Sequence, residues 1–214
     1  MSFAVMLQQL SGGMVRAIGI FLWTLIISLP LGLLVCKCRM SKIKIVQGIA
    51  RVYIAILRGT PLMLQLLVWY FGAFYLFGIK PPERFVAVVI GFSLNYAAYF
   101  AEIYRSGINS IPVGQYEAAQ ILGYSKGQTF LKIILPQVFR VILPALTNEV
   151  ITLVKDTSLA YAISYNEVFA ITKQIAAAQT TFLPFIIAGV FYFVFNALVD
   201  FIMGKIEKKA NYYH

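Results

Sequence analysis

The sequence predicts an all-α membrane protein with five transmembrane helices, a long cytoplasmic loop between the third and fourth, and the N-terminus outside. Three observations predict it. Of 214 residues, 60% are hydrophobic and 12% are charged, where a soluble domain carries roughly 25% charged. Mean hydropathy is +0.80, so there is too little polar surface to cover a water-facing core. The 18 Lys and Arg outnumber eight acids, giving a formal charge of +10. They fall in short clusters between apolar runs, a positive-inside pattern and not the basic face of a nucleic-acid binder.

A crossing needs about 17 to 25 uncharged residues. The first such run is 17–35, followed by the basic cluster Lys37, Arg39, Lys42 and Lys44. A cleaved signal peptide would carry its charges before a shorter apolar stretch, so this helix is retained. The second run is 59–79 and the third 85–101, separated by Lys80, Pro81, Pro82, Glu83 and Arg84; paired prolines cannot continue a helix. The fourth is 138–159 and the fifth 182–203. Residues 1–214 thus form a single transmembrane domain.

With five crossings, the loops after spans one, three and five share a side. They hold twelve basic residues, among them Arg51, Arg105, Lys126, Lys132, Arg140, Lys205, Lys208 and Lys209. The other side holds three, Lys80, Arg84 and Lys173. That asymmetry places the C-terminus in the cytoplasm.

Several chemistries are excluded. Cys36 and Cys38 stand in a basic loop and the sole histidine is the terminal His214, so no metal site and no Cys-His or Ser-His pair is expected. No phosphate-cradling glycine motif occurs. The chain is expected to have no catalytic residue and no cofactor of its own; any ATP and Mg sit on another chain.

The loop 102–137 is too polar to cross. Pro112, Gly114 and Gln115 lead into good helix formers, Tyr116, Glu117, Ala118, Ala119, Gln120, Ile121 and Leu122, with Glu117 placed in the first turn and Gly123 as a left-handed cap. A second helix from about Lys126 to Leu135 is expected to stop near Pro136. Glu117-Ala118-Ala119, then three residues to Gly123, nine to Ile133, and Leu135-Pro136 resemble the EAA loop of ABC importer membrane subunits. Arg58-Gly59-Thr60-Pro61, Ala101-Glu102-Ile103-Tyr104-Arg105, Leu143-Pro144-Ala145-Leu146-Thr147-Asn148-Glu149 and Lys155-Asp156-Thr157-Ser158-Leu159 extend that resemblance to the polar amino acid permeases of the histidine, arginine, glutamine and cystine group. Thr147 stands where a glycine is common in that group.

The resemblance implies a permease subunit in a bacterial cytoplasmic membrane. Its partners would be a second, identical permease subunit, two cytoplasmic ATPase subunits and an extracytoplasmic amino-acid-binding protein. It also implies that Tyr116, Glu117, Ala118, Ala119, Ile121, Leu122 and Gly123 dock the ATPase. The small alanines would permit close approach and the apolar residues would grip.

Span four carries Glu149, Lys155 and Asp156. A charge at a helix centre costs on the order of 3 kcal/mol, so these groups should face protein or water. Seven residues turn through 700°, so Glu149 and Asp156 share a face about 10 Å apart with Thr152 between them. Two acids on one stripe suit a ligand bearing ammonium groups, and Asn95 in span three could add a hydrogen bond. Glu149, Asp156, Asn95, Thr152 and Lys155 are therefore the candidate substrate contacts; the structural alternative is that the acids neutralise Arg58 or an arginine of a neighbouring subunit. Two other functional readings stand beside the importer: a stand-alone ion-coupled transporter or channel, and an ABC permease for a cargo that is not an amino acid.

Overall fold

The computed structural model describes residues 2–210, and His214 lies outside them. Among the described residues every regular element is a helix. The first, α1 (Phe3–Arg39), runs 37 residues, well beyond the expected 17–35. Its extension has a packing cause. Met6, Leu10 and Ala17 repeat at helical spacing and bury against Val168, Ile175 and Ala188, although Gln8, Gln9 and Ser11 depress the local hydropathy.

Residues 37–58, read as a basic loop, are largely helical. In α2 (Lys44–Gly59), Ala50, Ile54 and Leu57 are buried, Lys44, Gln47, Arg51 and Arg58 fall on an adjacent stripe, and Ile45, Ile49, Val52 and Ile56 face outward. The expected second span is α3 (Leu62–Phe77), which leaves α2 at 109° across Gly59-Thr60-Pro61. Pro61 has no N–H to continue the ladder, so carbonyls at the break need other donors. Gln65 Nε2 donates to Leu57 O and Thr60 O, each at 2.9 Å. Asn95 Nδ2 donates to Leu57 O and Gln65 Oε1, also at 2.9 Å. Gln65→Leu would strand these groups in an apolar setting and is expected to cost about 3 kcal/mol, read as a lower thermal transition of the purified protein; an unchanged transition would mean the bend needs no pin.

The central helix is α4 (Arg84–Ser110), whose Phe92, Tyr96 and Phe100 are fully or nearly buried against Ile20, Leu66, Val150, Leu153 and Val154. It lies parallel to α1, with Gly19 near Phe85 and Gly32 near Phe100. Then come α5 (Val113–Ile121), α6 (Lys126–Thr129), a π-turn (Phe130–Ile134), α7 (Leu135–Asp156) and a 3-10 segment (Thr157–Ile163). From Lys126 to Ile163 they form one continuous 38-residue rod. The stop expected at Pro136 is absent. The Leu135 N–H reaches back to Phe130 O, and this wider turn relocates the carbonyls that a proline ring would otherwise meet.

A helix the hydropathy reading missed, α8 (Val168–Gln179), precedes α9 (Leu183–Ala210). Four rods are long and apolar enough to cross a membrane, Phe3–Arg39, Arg84–Ser110, Lys126–Ile163 and Leu183–Ala210, and the bent α2–α3 pair makes up to five. The molecule is a multi-pass membrane protein.

Candidate functional site

The end of α2, the C-terminal third of α4 and the middle of α7 line an open cavity of about 360 Å³ with Arg58, Tyr99, Glu102, Arg105 and Glu149 among its residues, within the ~300–1,000 Å³ usual for small-molecule sites. Helical spacing produces it: Tyr99, Glu102 and Arg105 or Ser106 repeat along one face of α4, and Ile142, Ala145 and Glu149 along one face of α7. Arg58 lies with its guanidinium carbon 5.1 Å from the Tyr99 ring centre, a cation–π distance.

The two acids of the cavity differ in their partners. Glu102 accepts from Arg105 Nε at 3.0 Å and Nη2 at 2.7 Å, and Arg39 Nε lies 3.7 Å away, so its charge is met within the chain. Glu149, half-buried, makes no hydrogen bond or ion pair among the described residues, while sharing the cavity with Arg58. Asp156, further along the same face of α7, accepts from Tyr96 Oη at 2.7 Å and does not line the cavity.

The other residues expected at the site lie elsewhere. Asn95 is 3% exposed and both its donors go to the α2–α3 break. Thr152 Oγ1 donates to Asn148 O of its own helix, and Lys155 is exposed. Hydropathy reasoning treated Arg58 only as a counter-ion and passed over Tyr96 and Tyr99, because tyrosines in spans are common as packing. It also missed Glu167, which is 0% exposed. Glu167 accepts from Phe169 N and Ala170 N, each at 2.7 Å, and from Tyr192 Oη at 2.8 Å, so one carboxylate caps α8 and ties it to α9. An acid just before an apolar helical stretch was the available signal.

The second feature is the loop that carries α5. The helix starts at Val113, so Glu117 sits in its second turn, not its first as expected. It ends in a Schellman arrangement: Gly123 N–H donates to Gln120 O and Tyr124 N–H to Ala119 O, both at 3.0 Å, with Gly123 at φ +79°. Ser125 and Gln128 then form a reciprocal capping box that opens α6. The seven docking candidates split into two faces. Ala119 is 1% exposed and Tyr116 packs on the core, so these two seat α5 on its own protein. Glu117, Ala118, Ile121, Leu122 and Gly123 are exposed, Ile121 by 87% and Leu122 by 73%. Large apolar side chains at the tip of a helix otherwise rich in polar groups mark a contact surface.

A bundle of membrane-length helices with one broken pair, a charged cavity and a capped helix displayed at one end is the architecture of a transport permease. Residues 28–212 match the family of binding-protein-dependent transport system inner membrane components, and the chain belongs to that family. It is 40% identical over 198 residues to the arginine transport system permease protein ArtQ of Bacillus subtilis (strain 168), covering 92% of this chain and 90% of that one. It is 36% identical over 208 residues to the L-cystine transport system permease protein TcyB of the same organism, covering 95% and 87%. A crystal structure of an amino acid ABC transporter with histidines superposes with a TM-score of 0.88 at 31% identity, covering 98% of this chain and 99% of the other. A chain of the MetNI methionine ABC transporter in an inward-facing conformation, at 19% identity and a TM-score of 0.74, shares the fold.

Proposed function

We propose that this chain is the translocation subunit of an ATP-driven importer of polar, cationic amino acids. It pairs with a second permease subunit, receives substrate from an extracytoplasmic binding protein, and is driven by cytoplasmic ATPases that hold the ATP and Mg. In this reading the end bearing α5 faces the cytoplasm and the N-terminus lies outside, in keeping with the clustering of Lys37, Arg39, Lys126, Lys132 and Lys205 at that end. The exposed tip of α5 seats in a groove on the ATPase, and nucleotide-driven closure of the ATPases moves it.

The observation that carries the substrate reading is Glu149: a half-buried carboxylate lining the cavity, without a hydrogen-bonding partner among the described residues, beside an arginine already laid over Tyr99. Glu149 is the carboxylate of this cavity left to meet a cationic ligand, since Glu102 is taken up by Arg105. Asp156, held by Tyr96 outside the cavity, is not part of this contact. A cationic ligand would add to the Arg58 charge in compensating this half-buried acid. The arginine and cystine relatives are consistent with a cargo bearing more than one positive group.

The test is arginine uptake by proteoliposomes containing the permease, ATPase and binding protein. Glu149→Gln is expected to raise KM about tenfold, the loss of one charge-assisted contact, while leaving subunit assembly intact. An unchanged KM would assign Glu149 to holding Arg58.

A further inference from the structure

Leu31, Leu34 and Cys38 of α1 and Val46, Ile49 and Tyr53 of α2, with Leu94 of the central helix α4, line a slot of about 410 Å³. Spacings of three and four residues put each set on one stripe of its helix. The lining is hydrocarbon apart from the Cys38 thiol and the Tyr53 hydroxyl, and that hydroxyl is already committed to Leu94 O at 2.6 Å. The slot opens outward, with Leu34 61% and Ile49 68% exposed. It runs beside the end of the uncharged stretch 17–35, and charge begins where the slot ends. Lys37 stands on the last turn of α1, Lys42 in the turn that joins Cys38 to Val46, and Lys44 at the start of α2. All three are exposed. Arg39, by contrast, lies 3.7 Å from Glu102. Among the described residues none of the three lysines meets a carboxylate, and the sequence holds no acid before Glu83.

A hydrocarbon slot that ends at three unneutralised ammonium groups fits an amphiphile with an anionic head. We propose that the slot between α1 and α2 binds an acyl chain of one anionic phospholipid, whose phosphate lies at Lys42 and Lys44. The walls select the chain, because a polar ligand would give up its water here with no hydrogen bond in return. The lysines select the head, since each cation near a membrane surface favours an anionic lipid. A zwitterionic lipid carries its own ammonium group into the same field and gains less. The bound chain fills the space between α1 and α2 one turn before Leu57, whose burial seats the bent end of α2. It thereby braces the helix that brings Arg58 to the charged cavity.

The experiment is native mass spectrometry of the permease assembly purified in detergent and supplied with phosphatidylglycerol or phosphatidylcholine. It reads neither transport nor cargo, so its failure is separate from any failure of the import reading. The expected result is preferential retention of phosphatidylglycerol. A juxtamembrane cation contributes about a fivefold change in binding, so Lys42→Gln with Lys44→Gln should lower the affinity of that lipid about twenty-five-fold. Leu34→Trp, which fills the slot from an exposed position, should abolish its retention, whereas Lys208→Gln on α9 should leave it unchanged. Cys38 is exposed and lines the slot, so in a Cys36→Ala chain its alkylation by a maleimide should slow several-fold when phosphatidylglycerol is added and not when phosphatidylcholine is. Equal retention of the two lipids, full retention in either slot variant, or alkylation indifferent to phosphatidylglycerol overturns the proposal. So does efficient cross-linking of two copies through Cys38, because the slot would then be an interface between permease chains.

Discussion

Gly32→Ala is expected to destabilise the folded permease, whereas Gly48→Ala should leave it as stable or more so. A Cβ at position 32 would stand 2.8 Å from Phe100 Cβ and 3.3 Å from Ala97 O. Neither is the free end of a flexible side chain, so α1 and α4 must move apart along the contact that buries Phe100 and Tyr104. Overpacking of this kind costs about 1–3 kcal/mol, and inside a membrane helix packing is what lateral association rests on. A Cβ at position 48 meets nothing within 4 Å, and there alanine gains up to about 1 kcal/mol of helix propensity. At Gly107 a Cβ would stand on the Ile142 Cγ2 branch methyl, with Val138 Cγ1 at 3.3 Å and Ile142 Cβ at 3.6 Å, and a β-branched side chain on a helix has little freedom about χ1, so Gly107→Ala should cost at least as much as Gly32→Ala. Thermal unfolding of the three variants in one detergent gives the order; equal transitions for positions 32 and 48 would refute the close-contact account of α1 and α4.

Uncoupling is the second large effect. On the docking proposed above, Glu117→Lys combined with Ile121→Asp should reduce ATP-driven uptake at least tenfold, because anchor contacts in an interface can exceed about 2 kcal/mol each. The permease itself should remain as stable as before, since neither side chain is buried. Ala119→Val should do the reverse: Ala119 is 1% exposed, so a larger side chain there disturbs the seat of α5 and lowers stability. Gly123→Val acts through the backbone, placing a β-branched residue at φ +79°, about 1–2 kcal/mol of strain. Co-purification with the ATPase and substrate-stimulated hydrolysis are the measurements. Normal coupling in the Glu117→Lys, Ile121→Asp variant would remove α5 from the docking role.

The all-helical architecture and the helical loop with its Gly123 cap were legible in the sequence because each rests on a local rule: long uncharged runs and a left-handed glycine. The cavity was half legible. The seven-residue spacing put Glu149 and Asp156 on one stripe, but only tertiary packing separates them, giving Asp156 to Tyr96 and leaving Glu149 beside Arg58. Asn95 looked like a ligand contact for a sound reason, an amide in mid-span; the competing demand came from carbonyls freed 38 residues earlier at the Thr60-Pro61 break. No window of hydropathy contains both partners. The same applies to α2 and the first turns of α1, where alternating polar and apolar residues lower the average although the apolar ones align on one face. Pro136 misled because a proline ends an ordinary helix, whereas here the winding widens just ahead of it.

That widened stretch, Phe130–Ile134, fixes an azimuth as well as a path. One additional residue per turn shifts everything before it by about 100° around the rod axis relative to regular winding. Shortening the stretch by a single residue would restore ordinary pitch and swing the tip of α5 sideways by more than a quarter revolution, with no atom of the membrane portion altered. The direction in which this subunit presents its contact surface is thus written into a local miscount of the spiral.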